Sequence, residues 1–391
     1  MSVATRLLDT EAASPVGRPL AHVRLATAAD DAACRALAAG VGMDAELQLA
    51  LHRRPTMDAL YRLHAVAWET WVVELDGRVE GMGAVLVRDG WLAGERRRIG
   101  YLGDLRFSAA VQGRQLLDRF YAPVLRAASA RMGCDLFVTA VIASNERAVR
   151  ALTVRTDRAR RGGRPRYTPL RDFDIRSLHL LLPAPRRRHE VAVRHATDAD
   201  IPRLAALLDA DARRRPLGYA IDEPELRRRL REWPGLTIGS FLVAERADRS
   251  LAGCLALWDA DPVKRTVVHG YRGAMRRTRF VHDLAARVLG APLLPAPGGA
   301  LHYLYATHLA VPDDDPRTFA ALLDAAHAAG RRAGYQFLSV FAPAGDPLAG
   351  AWRGRLTTDL PARLFVVTLD GAEPPAACFD GARPGFEMAL V

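Results

Sequence analysis

The chain has 391 residues, half of them hydrophobic and a quarter charged, a composition expected of a soluble globular protein with room for two cores. It holds no run of about 18 apolar residues, so no membrane-spanning helix is expected. The net charge of +11 is almost wholly arginine, because Lys264 is the only lysine. Together with heavy use of Ala, Gly and Pro, this reads as the bias of a GC-rich genome. The clusters Arg96–Arg98, Arg158–Arg166 and Arg186–Arg188 lack the aromatic interleaving of a single-strand binder, so no nucleic-acid partner is expected.

Residues 1–20 scatter polar groups throughout and read as a disordered leader, not a secretory signal. Cys34, Cys134, Cys254 and Cys378 stand apart with no metal-ligand spacing. A cytoplasmic setting without metal is expected. Then comes a phrase that the chain repeats. Val23-Arg24-Leu25-Ala26-Thr27-Ala28-Ala29-Asp30 returns as Val193-Arg194-His195-Ala196-Thr197-Asp198-Ala199-Asp200. Each copy is a short strand, a Thr suited to cap a helix, and an Ala/Leu-rich helix. Two copies, each opening a long globular stretch, imply a duplication.

After the first copy, residues 40–64 suggest a short strand and a helix. Strands 70–75 and 79–87 are joined at Asp76-Gly77, a strong hairpin signal. A strand over 97–108 precedes a helix over 115–132, which Pro123 should kink or restart. Strand 135–142, helix 146–156 and strand 175–182 close the half. The Pro- and Arg-rich residues 184–190 form a linker. The second half repeats the plan with strand 191–196, helices 201–212 and 224–233, hairpin 241–245/252–258, and strand 301–311. Helix 316–333, strand 336–341, helix 346–353 and strand 363–369 follow. An Arg-, Gly- and Pro-rich insertion occupies about 265–300.

This order of elements resembles that of the GNAT superfamily of N-acyltransferases, and each half resembles one GNAT domain. The resemblance implies an α/β fold with a mixed sheet: two tandem GNAT-like domains, each a mostly antiparallel twisted sheet flanked by helices. Residues 21–183 would be the first domain and 191–391 a degenerate second one. In this family a Gln/Arg-x-x-Gly-x-Gly/Ala loop after the fourth strand opens a long helix and holds the pyrophosphate of acetyl-CoA. Unpartnered amides at a helix N-terminus favour an anion there. The matching run here is Leu105-Arg106-Phe107 followed, after Val111, by Gln112-Gly113-Arg114-Gln115-Leu116-Leu117. Gln115 and Leu117 stand where the family has glycine and a small residue. The resemblance therefore implies cofactor contacts from Leu105, Arg106, Phe107, Gln112, Gly113, Arg114, Gln115 and Leu116. Asn145, in Asn145-Glu146-Arg147-Ala148, matches an asparagine that commonly contacts the pantetheine arm.

The second half offers Pro312-Asp313-Asp314-Asp315-Pro316 at the same place, where carboxylates repel phosphate and prolines remove amides. Asp314 and Asp315 read as caps of their own helix, and no usual acyl-CoA site is expected there. The catalytic candidates are Tyr101, Asp104 and Tyr167, with Leu152 standing where the family's Tyr acid would be. Strand alternation would put Tyr101, Gly103, Leu105 and Phe107 on one face and Leu102, Asp104 and Arg106 on the other. Asp104 and Arg106 read as an ion pair before an acid/base pair. Tyr167 reads as part of a Gly/Arg-rich loop, either lining an acceptor site or anchoring the loop. Trp258-Asp259 and Lys264 could furnish a pocket wall or an interdomain contact. His302 and His308, on one face by parity, read as core or pocket lining rather than as metal ligands.

The function implied is transfer of an acyl group, most simply from acetyl-CoA, to the amine of a small molecule by a monomer or homodimer. Two other readings stay open. One is a binding module without chemistry; the other is an acyltransferase taking its donor from an acyl-carrier protein or an aminoacyl-tRNA.

Overall fold

The computed structural model describes residues 21–40, 46–111, 116–153, 165–381 and 383–391, without the Asp118 side chain. The expected leader, residues 1–20, lies outside them. The first half supplies strands β1 (Ala21–Leu25), β2 (Leu47–Arg53), β3 (Ala67–Leu75), β4 (Arg78–Leu92), β5 (Glu95–Phe107), β6 (Leu136–Ile142) and β7 (Arg166–His179). The second supplies β8 (Ala192–His195), β9 (Gly218–Tyr219), β10 (Phe241–Glu245), β11 (Leu251–Trp258) and β12 (Lys264–Tyr271). It ends with β13 (Tyr303–Ala310), β14 (Phe337–Pro343) and β15 (Thr357–Thr368).

The main sheet runs β1-β3-β4-β5-β6-β15-β7-β14-β13-β11-β10-β8. The order is symmetric about its centre: β1, β3, β4, β5 and β6 are answered by β8, β10, β11, β13 and β14. β5 runs parallel to β6, and β13 runs parallel to β14. The last strands of the halves are exchanged. β15 lies against β6 of the first half, and β7 lies against β14 of the second. β15 and β7 also pair with each other along twelve registered positions, from Thr357↔Leu178 to Thr368↔Arg166. Each half is thus completed by the other.

The repeated phrase folds into the same ion-paired corner twice. Arg24 holds Asp30 at 2.7 and 2.9 Å and Glu74 at 2.8 Å. Arg194 holds Asp200 at 2.7 and 2.9 Å and Glu245 at 3.2 Å. Asp30 and Asp200 also accept the backbone N–H of Thr27 and Thr197, so one carboxylate ties the strand end to the helix start.

Eight α-helices flank the sheet among the described residues: α1 (Asp31–Gly40), α2 (Ala59–His64), α3 (Ala122–Met132), α4 (Glu146–Thr153), α5 (Ile201–Arg213), α6 (Glu223–Glu232), α7 (Gly273–Leu289) and α8 (Pro316–Arg332). α1, α2, α5 and α6 share one core that spans both halves, including Cys34, Leu60, Leu204 and Leu226. On the other face α3 and α8 pack over separate cores.

Asp76 and Gly77 turn the expected hairpin with positive φ of 51° and 74°. The helix before Gly133 does not break at its proline: a π-wound turn over Leu117–Tyr121 leads straight into α3, whose first turn takes Pro123. The insertion near 265–300 forms a strand and a helix, β12 and α7, and β12 pairs with β2 of the first half. One expectation needs correction. The strand expected over 175–182 begins at Arg166, because its earlier residues find partners on β15, which lies far away in sequence.

Candidate functional site

The strands β4 and β5 lose register between Met82 and Ala84, and the extra residue on β5 is Asp104, at φ 49°. A bulge of this kind re-aims side chains and breaks strand alternation. Tyr101 and Asp104 therefore share the face of α1 and α2, whereas Leu102 packs with Phe137 on the α3 side. This corrects the alternation that set Tyr101 and Asp104 on opposite faces. The second half has the same device: β11 and β13 slip between Cys254 and Ala256, and His308 sits at φ 51°. His302 lies just before β13 and is exposed, whereas His308 lies on it and is buried.

Asp104 is the hub of a buried polar cluster. Arg53 Nη2 donates to its Oδ2 at 2.7 Å and the Tyr61 hydroxyl at 2.5 Å, while Arg106 Nε stands 3.7 Å from Oδ1. Burial pushes the Asp104 carboxyl up, but the charges of Arg53 and Arg106 and the Tyr61 hydrogen bond together hold it below the usual carboxylate range. The Asp104–Arg106 ion pair is thus present, with Arg53 the closer partner.

The second half closes on this cluster. Antiparallel pairing of β2 with β12 sets Lys264 directly opposite Arg53. Lys264 Nζ donates to the Ala389 carbonyl at 2.9 Å and to the main-chain oxygen of Val391. Burial, then the charge of Arg53, push its ammonium down to about 7. The Tyr101 hydroxyl donates to the Leu390 carbonyl at 3.3 Å, and burial pushes its ionisation upward. Beside them Thr307 donates to Glu387 at 2.7 Å, and Arg229 Nη1 lies 3.2 Å from His308 Nε2. Trp258 packs on Trp233 and on His64 of the first half, with ring centroids 4.5 and 5.9 Å apart. Trp258 and Lys264 are therefore contacts between the halves.

β5 and β6 are paired only at Gly100↔Phe137 and Tyr101↔Val138. Gly100 is obligatory there, since a Cβ would stand 2.1 Å from the Phe137 ring. Beyond Tyr101 one hydrogen bond, from the Thr139 hydroxyl to the Leu102 carbonyl at 2.7 Å, still joins them. The strands then diverge, β6 staying with β15 and β5 running on to Phe107.

The remaining sequence candidates are distributed as follows. Leu105 is partly exposed beside Gly83, while Phe107 and Leu116 pack with Val73, Leu75 and Val111. Gln112, Gly113, Arg114 and Gln115 lie outside the described residues. Asn145 accepts the Ala148 N–H at 3.1 Å and caps α4. Tyr167 is not in a loop: it lies on β7, with its hydroxyl 2.6 Å from that of Tyr121, among residues of the α3 core. Tyr101 and Asp104 are brought together, and Tyr167 stands across the sheet from them. In the second half the Asp315 carboxylate accepts the N–H groups of Arg317 and Thr318 at 3.0 and 2.9 Å. Asp314 and Asp313 are held by Arg215 and Arg246.

Arg53, Tyr61, His64 and Glu387 carried no local signal in the sequence, because their importance comes from what they face. Lys264 did carry one, as the single lysine. On the opposite face, a cleft of about 660 Å³ opens between α4 and residues 346–352, lined by Arg150, Asp172, Arg176 and Arg363 from both halves.

No protein-family model matches the sequence, and no curated protein matches it at the sequence level. Solved structures do match. Saccharomyces cerevisiae N-myristoyltransferase with bound myristoyl-CoA aligns at a TM-score of 0.58 and 9% identity, over 93% of this chain and 86% of that one. A GCN5-related N-acetyltransferase from Sphaerobacter thermophilus aligns at 0.55 and 15% identity, over 95% and 98% of the two chains. A glucosamine N-acetyltransferase region of a fungal multidomain β-N-acetylglucosaminidase aligns at 0.56 and 14% identity, over 91% of this chain and 39% of that one. The chain has the mixed-sheet fold of the GNAT N-acyltransferases, built from two like halves.

Proposed function

We propose that the protein is an acyl-CoA-dependent N-acyltransferase, with acetyl-CoA as donor and a small-molecule amine as acceptor. Residues 21–183 would hold the thioester, and residues 191–391 would shape the acceptor side. The observation that carries this reading is the divergence of β5 and β6 just past Tyr101, with the Asp104 bulge at its mouth. Such an opening exposes backbone groups along which a thin pantetheine arm can lie. The corresponding helix start of the second half already spends two of its amides on Asp315, which disfavours a phosphate there.

Acyl transfer to an amine requires loss of a proton from the acceptor and delivery of one to the leaving thiolate. Tyr101, protonated at neutral pH and at the mouth of the opening, suits the second task. Asp104, ionised and neutralised by Arg53, is a weak base; its role is to hold Arg53 and Tyr61 in place. Isothermal titration with acetyl-CoA tests the reading. Saturable heat that disappears in Gly113→Pro is expected, and silence at high concentration overturns it.

A further inference from the structure

Lys264 is the only lysine in a chain with 55 Lys and Arg residues. Everywhere else a cation is needed, the sequence uses arginine, which keeps its proton and cannot act as an amine nucleophile. The exception falls at a buried position, 3% exposed, on the ribbon that joins the halves. Among the described residues Lys264 pairs with no Asp or Glu side chain: its hydrogen-bond partners are the main-chain oxygens of Ala389 and Val391. Arg53 stands opposite it in register and is already committed to Asp104. Burial is the main cause that favours the neutral, nucleophilic form of this amine, aided by Arg53 and Arg106 and opposed by Asp104 and Glu387.

The location matters as much as the chemistry. Tyr101 grips the carbonyl of Leu390, and Lys264 grips those of the residues on either side. The two side-chain tips therefore meet neighbouring peptide groups, within roughly one residue length (about 3.8 Å between successive Cα atoms) plus two hydrogen bonds. Tyr101 is the last residue of β5 paired with β6. Lys264 thus stands beside the mouth of the opening assigned to the thioester, covered by residues 386–391.

We propose that the protein acylates itself at Lys264, using an acyl thioester bound between β5 and β6. This rests on the acyl-CoA reading above. With residues 389–391 displaced, the Nζ lone pair attacks the thioester carbonyl carbon. The C–N bond forms, the C–S bond breaks with its electron pair going to sulfur, and the proton lost by the amine goes to the thiolate. The products are an amide on Lys264 and free CoA thiol, with no oxidant, reductant or metal required.

The test incubates the full chain with acetyl-CoA and reads intact mass and a peptide map. One acetyl group on the peptide containing Lys264 is expected, formed roughly tenfold or more faster in the folded chain than in urea, as positioning requires. Lys264→Arg should gain none. The wild-type map alone names the site, so the result stands even where the variant misfolds, and acetylation of the chain's α-amine appears on a different peptide. Binding of acetyl-CoA by calorimetry without acetyl on Lys264 overturns the proposal, as does equal labelling of the unfolded chain. Absence of binding heat overturns the acyl-CoA reading and the proposal with it.

Discussion

Asp104 and His308 occupy the same place in the two halves: each is the extra residue of a bulge, at φ 49° and 51°, on a strand with one parallel neighbour, β6 or β14. One backbone device displays two chemistries. In the first half it aims a carboxylate at Arg53 and Tyr61; in the second it aims an imidazole at Arg229. Burial and the Arg229 charge hold that imidazole neutral, so only the first bulge presents a charge to the junction. The halves share a scaffold and divide the electrostatics.

Asp104→Asn should strip Arg53 of its buried counter-charge. Loss of one partner of a buried pair costs about 3–5 kcal/mol, mostly as the unpaired charge left behind. Urea unfolding of Asp104→Asn, Arg53→Met and the double variant measures it, and the double variant should recover part of the loss. A cost below about 1 kcal/mol would show that the pair is solvated.

Lys264 should make stability pH-dependent on the alkaline side. Its folded ammonium titrates at about 7, against about 10.4 in the unfolded chain. Between those values the unfolded chain binds a proton that the folded chain does not, so stability rises with pH and is lost as pH falls toward 7. The slope reaches about 1.4 kcal/mol per pH unit. Relative to Lys264→Met, the wild-type chain should gain about 2 kcal/mol between pH 7 and 9. Parallel curves for the two proteins would mean that Arg53, Asp104, Arg106 and Glu387 leave the ammonium charged.

His64 should be a cost to the fold. It is buried against Trp233 and Trp258, and neither ring nitrogen finds a hydrogen-bond partner. An unsatisfied buried polar group costs about 1–3 kcal/mol. His64→Phe should therefore match or exceed wild-type stability, whereas Trp258→Ala in the same cluster should lose about 3–5 kcal/mol. A large loss in His64→Phe would instead reveal a partner for the imidazole.

Strand exchange should make the two halves unfold together. Removing residues 184–391 would leave β6 without β15 and β7 without both neighbours, exposing three strand edges. Calorimetry of the whole chain should give one transition, and a fragment of residues 21–183 should aggregate. Two separated transitions would show that each half closes on its own.

Much of the scaffold was legible in the sequence because its signals are local. Thr27 and Thr197 sit just before short carboxylates, and Asp76-Gly77 permits positive φ, so a few adjacent residues determine each feature. The acidic cap of the second helix start was equally local, since Asp315 satisfies amides two and three residues away. The site was legible only in part. Asp104 and Tyr101 could be placed on one strand, but one inserted residue reversed their relation, and a bulge leaves no mark that alternation can read.

The sequence by itself determined that the chain is a duplicated, arginine-biased α/β protein with one unusual lysine, because repeats, caps and composition are properties of neighbouring residues. Only the tertiary structure decided that β7 and β15 trade places, that β12 sets Lys264 against Arg53, and that Ala389 and Val391 lie over Lys264. Those relationships join residues more than a hundred positions apart. They arise from joining two half-sheets into one through exchanged strands, and no local pattern encodes which distant charge a buried side chain will meet.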